Sequence, residues 1–305
     1  MVNKRNNIRR PDFFIVGAPK CGTTSMAEYL GQHPDVFVAR GEPHFFGSDI
    51  HYNPVQMTKD EYLSLFSEAG NERRVGEKST WYLYSEKAAE EIKTFYSHAK
   101  IIIQIRNPVE MMYSLHGHLL HTGHEDIVDF EKALEAEEDR KKGVRIPRYT
   151  LFPENLFYSE VPLYTDQIKR YIKAFGWSQI HIIVFDDLIK DTSLEYRKVL
   201  RFLAVNDQFT PEFILHNPQR PKKSFWLHKM VYNTWIRMAA RSILPGNTRN
   251  LLGKMFSNMN VSSNDPPMDK TVRRQLQKHF MPEVERLSQL LDRDLTYWCE
   301  FGRTS

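Results

Sequence analysis

Four consecutive apolar residues, Phe13-Phe14-Ile15-Val16, run directly into Gly17-Ala18-Pro19-Lys20-Cys21-Gly22 and then into a helix-forming stretch from Thr23 to Leu30. A run that is apolar on both faces predicts a strand covered on both sides, and the glycines allow a tight loop before the helix. Gly31 ends that helix and Pro34 keeps it from resuming. The plan returns at Ile101-Ile102-Ile103-Gln104-Ile105, which Arg106-Asn107-Pro108 stops before a helical run through Met111, Met112 and Leu115. A third apolar run, Ile180 to Phe185, follows a helical segment from Tyr164 to Phe175, and it precedes an Asp186-Asp187-Leu188 corner and a helix near Leu194 to Leu203. Alternation of this kind predicts an α/β fold, with a central parallel sheet flanked by helices. The C-terminal third reads as largely helical, with loops at Gly246 and at Asn264-Asp265-Pro266-Pro267 and a last helix from Lys270 to Asp292.

The 305 residues, 41% of them hydrophobic, are expected to form one domain over 1–305, with 1–10 a flexible N-terminal segment. The net charge of +4 is too small to imply a nucleic-acid surface, but it leaves room for a local pocket for an anion. Cys21 and Cys299 lie at opposite ends of the chain, which excludes a disulfide framework and favours a reducing compartment. No segment approaches the roughly 20 apolar residues of a membrane span, and the basic N-terminus leads into no signal-like apolar run. A cytoplasmic protein is expected. The aromatic and basic stretch from Phe225 to Met238 suits core packing with a lid contribution, and it also suits peripheral membrane contact.

The loop from Gly17 to Ser25 leads a strand into a helix, so its backbone N–H groups and the positive helix end can hold an anion. Its glycines have the spacing of a nucleotide-triphosphatase loop, with Thr24 at the hydroxyl position, but Thr23 stands in the lysine position and the lysine is Lys20. A kinase is therefore the weaker alternative, also because Gln104 is the only polar residue in a strand that would need an aspartate for a metal. A non-catalytic nucleotide-binding protein is the other alternative. Taken singly, Lys20 also fits a solvated turn, Thr23-Thr24-Ser25 a helix cap, and Arg106 a structural salt bridge.

Glu42 and His44 follow the extended stretch Val36-Phe37-Val38 and are expected on one side of an extended chain, facing one cleft. His116, His118, His121 and His124 match no zinc spacing, so no metal is expected. Cys21, at a helix N-terminus, is placed where a thiol pKa can fall, though nothing else suggests a covalent intermediate.

Taken together, these segments resemble the sulfotransferases that use 3′-phosphoadenosine 5′-phosphosulfate, in particular the bacterial and heparan-sulfate-type branches. Pro19-Lys20-Cys21-Gly22-Thr23-Thr24-Ser25 is similar to the family's 5′-phosphosulfate loop, which implies that Lys20 contacts the oxygen bridging phosphate and sulfate. Arg106 and Ser114 match the family's 3′-phosphate element, and Pro221-Lys222-Lys223-Ser224 more loosely matches a basic segment that closes over the phosphates. Glu42-Pro43-His44-Phe45-Phe46 resembles the segment whose glutamate removes the acceptor's hydroxyl proton, with His44 as an assistant. Gly76-Glu77-Lys78-Ser79 is similar to a further family segment, which implies that Lys78 faces the transferring sulfonate or the acceptor, while Trp81 and Tyr82 fit either the lining of an acceptor pocket or core packing.

The resemblance implies a P-loop-like sulfotransferase fold and adenosine 3′,5′-bisphosphate as the released nucleotide. It implies no metal, and an acceptor hydroxyl on a small molecule, lipid or carbohydrate. Met111 stands where a basic residue is common, Arg40-Gly41 replaces a simple lysine lead-in, Gly47 replaces an aspartate and Thr80 a proline. Arg40-Gly41 and Gly47 speak against a heparan-like acceptor, and Met111 implies a less charged grip on the 3′-phosphate.

Overall fold

The computed structural model describes residues 9–50, 57–213 and 268–300. Five strands, β1 (Phe13–Gly17), β2 (Val36–Val38), β3 (Arg74–Lys78), β4 (Lys100–Ile105) and β5 (Ile180–Val184), form one sheet. All its pairings are parallel, in the order β2-β3-β1-β4-β5. The expected α/β sheet flanked by helices is what the chain forms.

The continuous apolar runs are explained by burial on both sides. Along β1, Phe14 and Val16 join a core that includes Ile101, Ile103 and Ile105, whereas Phe13 and Ile15 join the opposite core with Ile102 and Ile183. Both faces of a parallel sheet are thus closed by helices. One core packs on α1 (Thr23–Gly31) and α9 (Thr192–Leu203) through Met26, Leu30, Val199 and Leu200. The other packs on α3 (Ala88–Phe95), α4 (Pro108–Thr122), α7 (Tyr164–Phe175) and α10 (Lys270–Leu291). Short helices α2 (Lys59–Ser64), α5 (Phe130–Glu135), α6 (Glu137–Lys141) and α8 (Phe185–Lys190) complete the α-helices of the described residues.

Chain order reverses direction around β1: the connection through β2 and β3 lies on one side of it, and β4 and β5 lie on the other. In open parallel sheets the crevice at the carboxyl ends of such strands is where ligands bind. The β1–β4 register shifts between Ile15 and Gly17, at the point where β1 gives way to its loop.

The expected corner at Asp186-Asp187-Leu188 is instead α8. Both aspartates sit in its first turn, where the helix dipole favours them, and both have distant partners. Asp186 accepts from Tyr297 Oη and Trp298 Nε1, each at 2.7 Å, and Asp187 pairs with Arg293. Arg9 and Arg10, expected in a flexible segment, are also placed. Arg9 donates to the carbonyls of Gly70 and Glu72, and Arg10 lies 5.7 Å from the Phe95 ring centroid. Among the described residues, no helix is long and apolar enough to cross a membrane.

Candidate active site

The loop that leaves β1 is fastened to β4 along its main chain. Ala18 N–H donates to the Gln104 carbonyl at 2.7 Å, Gln104 Nε2 donates to the Cys21 carbonyl at 3.1 Å, and Arg106 Nη1 donates to the Lys20 carbonyl at 3.3 Å. Gly17 and Gly22 are required there. Both have positive φ, and a Cβ on Gly17 would lie 2.5 Å from the Thr80 carbonyl oxygen. Gly22 is the N-cap of α1 in a left-handed conformation with no side-chain cap, so the hydroxyls of Thr23, Thr24 and Ser25 do not cap this helix. The uncapped helix end points its positive dipole into the loop.

Lys20 itself has φ of 62°, a left-handed conformation that costs a non-glycine residue energy and is held by the three bonds above. Its ammonium has no ion-pair partner among the described residues. Burial, then Arg106 and Lys78, pull its pKa below the ordinary lysine range, against Cys21 and Glu42, which raise it. Arg106 likewise has no carboxylate partner among the described residues, so it does not form the structural salt bridge that its sequence position alone allows. Its guanidinium lies 4.7 Å from the Phe185 ring centroid, at the end of β4.

Lys78 ends β3 and is 8% exposed, not solvated. Its Nζ donates to Glu42 Oε1 at 2.8 Å and to Thr24 Oγ1 at 3.1 Å, which ties the carboxylate to the phosphate loop. Glu42 Oε2 accepts from Thr80 N–H at 3.0 Å and Thr80 Oγ1 at 2.7 Å, and His44 Nε2 lies 3.4 Å away. Burial pushes Glu42 up, but Lys78, His44 and the Thr80 N–H bond outweigh it and hold the carboxyl below its ordinary value. Burial lowers the pKa of His44, and Lys78 adds to this, while Glu42 acts in the opposite sense.

Glu42 and His44 do meet, though not along an extended chain. The extended stretch ends with β2 at Val38, and His44 has φ of 49°, so a left-handed turn brings the imidazole back to the carboxylate.

One buried residue that sequence reasoning left without a role organises this turn. Glu77, in β3, is fully buried and accepts from Tyr62 Oη at 2.8 Å, Ser79 Oγ at 2.8 Å and Tyr82 Oη at 3.0 Å. Two of these hydroxyls accept in turn from the base segment: Ser79 Oγ from His44 N–H at 3.0 Å, and Tyr82 Oη from Phe45 N–H at 2.9 Å and Phe46 N–H at 3.3 Å. Burial raises the pKa of Glu77 to about 7 despite these donors. The signal available in the sequence was a glutamate inside an apolar strand with hydroxyl residues close after it.

Ser114 is buried on α4, two turns beyond the start of the helix at Pro108 and Arg106 just before it. Cys21 is not acidified: burial pushes its thiol up to about 12, overriding Arg106, Tyr164 and Lys20. Trp81 packs on Phe152 with ring centroids 4.9 Å apart, and Tyr82 belongs to the Glu77 network, so both serve the core. His116 contacts the Ile127 carbonyl and His124 the Tyr149 carbonyl, and the described residues contain no group of three or more His, Cys, Asp or Glu able to hold a metal. Lys222 and Lys223, Gly246, the loop at 264–267 and the 225–260 segment lie outside the described residues.

A family model described as the sulfotransferase domain matches residues 10–288. Heparan sulfate glucosamine 3-O-sulfotransferase 5 of Mus musculus is 27% identical over 69% of this chain and 58% of its own length. Bifunctional heparan sulfate N-deacetylase/N-sulfotransferase 4 of Mus musculus is 26% identical over 93% of this chain and 30% of its own length. The chain thus spans less than two thirds of these relatives. A solved sulfotransferase from Alicyclobacillus acidocaldarius is 28% identical, covers 96% of this chain and 100% of its own, and superposes with a TM-score of 0.73.

Proposed function

Because this chain belongs to the sulfotransferase domain family, we propose that it moves a sulfonate group from 3′-phosphoadenosine 5′-phosphosulfate to an acceptor hydroxyl. The carbohydrate class of acceptor is favoured by the names of the relatives. The single observation that carries the reading is Lys78, whose one ammonium spans the candidate base Glu42 and the phosphate loop at Thr24. A base and a leaving-group site within one lysine's reach is what in-line transfer needs.

The residues fit the donor nucleotide. The loop offers an uncapped helix end and an unpaired lysine, and Arg106 sits one strand away with no competing carboxylate among the described residues. When bound, that nucleotide supplies an activated sulfonate on a good leaving group.

Lys20 neutralises charge growing on the 5′-phosphate, and Arg106 with Ser114 holds the 3′-phosphate through directional donors. Glu42 takes the acceptor's hydroxyl proton as the new oxygen–sulfur bond forms, because a neutral hydroxyl is a poor nucleophile. The bond from sulfur to the bridging oxygen breaks, and its electron pair leaves with the 5′-phosphate. Lys78 loses its hold on Glu42 as it turns toward the sulfonate, and His44 helps to orient the carboxylate or the acceptor.

Calorimetry with adenosine 3′,5′-bisphosphate, AMP and ATP tests the reading. The bisphosphate is expected to bind far more tightly than the other two, and equal affinity for AMP would remove the 3′-phosphate assignment.

A further inference from the structure

We propose that Thr80 is the positioning residue of the base: it anchors Oε2 of Glu42, which leaves Oε1 as the oxygen that receives the acceptor's proton. The proposal rests on Glu42 being the base.

The two carboxylate oxygens are held in different ways. Oε2 accepts from both donors of one residue, Thr80 N–H at 3.0 Å and Thr80 Oγ1 at 2.7 Å, whereas Oε1 accepts from Lys78 Nζ at 2.8 Å. Thr80 is a rigid holder. It is 7% exposed, and its carbonyl oxygen lies so near Gly17 that a Cβ there would come within 2.5 Å of it, so its backbone is wedged against the start of the phosphate loop.

Lys78 is a shared holder. It carries its charge on a flexible stem and also bonds Thr24 Oγ1 at 3.1 Å, so it can turn from Glu42 to an anion in the loop. When it does, Oε1 is released for the acceptor hydroxyl while Oε2 stays fixed. The proline that Thr80 replaces would supply neither the N–H nor the hydroxyl.

Among the described residues, Lys78 and Glu77 from β3, His44 from its own segment, Lys20 from the loop and His118 from α4 act on Glu42 or are acted on by it. Thr80 adds two neutral donors, so its replacement changes the proton affinity of Glu42 without changing the charge of the site. Donors to an ionised carboxylate favour it, and removing one raises the pKa.

The test is an NMR titration of the full chain carrying 13C at the glutamate side-chain carboxyl carbons, with the Glu42 signal assigned by its loss in E42Q. T80S, which keeps both donors, is expected to titrate with the wild type. T80V, which keeps only the N–H, should move the midpoint up by about one pH unit, the scale of one hydrogen bond to a charged group. T80P should move it further. In T80V the acid limb of kcat/KM should shift up with the carboxylate, while the affinity for adenosine 3′,5′-bisphosphate stays unchanged. A T80V midpoint equal to that of the wild type overturns the anchoring role. A midpoint that moves while the acid limb does not overturns Glu42 as the base, and the Oε1 assignment with it.

Discussion

The phosphate loop and the base segment meet at Lys78, but they are held by different kinds of contact. The loop after β1 is bonded through its own main chain, at Ala18, Lys20 and Cys21, to the neighbouring strand β4 and to Arg106 at that strand's end. Past Ala39, whose N–H still bonds the Gly76 carbonyl of β3, the segment from Arg40 to Phe46 is held by residues 35 to 38 positions away: Ser79 and Tyr82 on its N–H groups, Lys78 and Thr80 on Glu42. A phosphate is bound by backbone N–H groups and a helix end, which a regular strand-loop-helix unit provides by itself. A base needs one carboxylate at one distance from that phosphate, and here Lys78 at the end of β3 and Thr80 just after it provide this. Changes on the two sides should therefore fail in different measurements.

The largest effects are expected where both sides touch the reacting atoms. Lys20→Ala and Glu42→Gln should each lower kcat at least roughly a hundredfold, the scale of losing one charge-stabilising donor or a positioned base, with circular dichroism unchanged. Turnover of Glu42→Gln near the wild-type rate would move the base to His44. Arg106→Ala should act on the loop side alone. It is expected to weaken adenosine 3′,5′-bisphosphate about tenfold or more, the scale of a charge-assisted hydrogen bond, and AMP less. Similar losses for the two nucleotides in calorimetry would mean that Arg106 serves only the Lys20 carbonyl.

Ser79→Ala and Tyr82→Phe should act on the base side alone. Each leaves backbone N–H groups of the 44–46 segment without an acceptor, and kcat should fall about tenfold while nucleotide affinity holds. A loss of nucleotide affinity instead would show that the two sides are not independent.

The smallest effect concerns pH. Glu77 has its pKa raised from an ordinary 4.5 to about 7 in the folded chain. Between those values the folded state binds more protons than the unfolded state, so this group's contribution to stability is full below about 4.5 and is lost as pH rises toward 7. Glu77→Gln removes that slope. Urea midpoints of the variant relative to wild type should therefore improve from pH 4.5 to pH 7, and a constant difference would show that Glu77 does not titrate in that range.

The sheet and the loop were legible because their determinants are local. Runs such as Ile101-Ile102-Ile103 are buried on both faces, and Gly17 and Gly22 sit where a positive φ and close neighbours require them. The helix α8 was hidden because Asp186 and Asp187 look like a polar corner until Tyr297, Trp298 and Arg293 arrive from the far end of the chain. The left-handed turn at His44 was hidden for a similar reason, since the hydroxyls that hold it hang on Glu77, a residue whose own neighbours in the sequence suggest only a strand. Thr80 was visible as a departure from the family's pattern, but its two bonds to Glu42 required the fold.

Transfer of label from donor to acceptor tests the central claim most directly. The full chain is incubated with 35S-labelled 3′-phosphoadenosine 5′-phosphosulfate and a panel of hydroxyl-bearing carbohydrates and small molecules in the presence of EDTA. A transferring sulfonate carries less charge than a phosphoryl group and can be served by Lys20, Lys78 and backbone donors, so label is expected to reach an acceptor with the chelator present and to do so at least roughly a hundredfold more slowly with Lys20→Ala. The account is contradicted if no acceptor gains sulfur label while γ-labelled ATP transfers its phosphate to the same panel only when Mg²⁺ is restored.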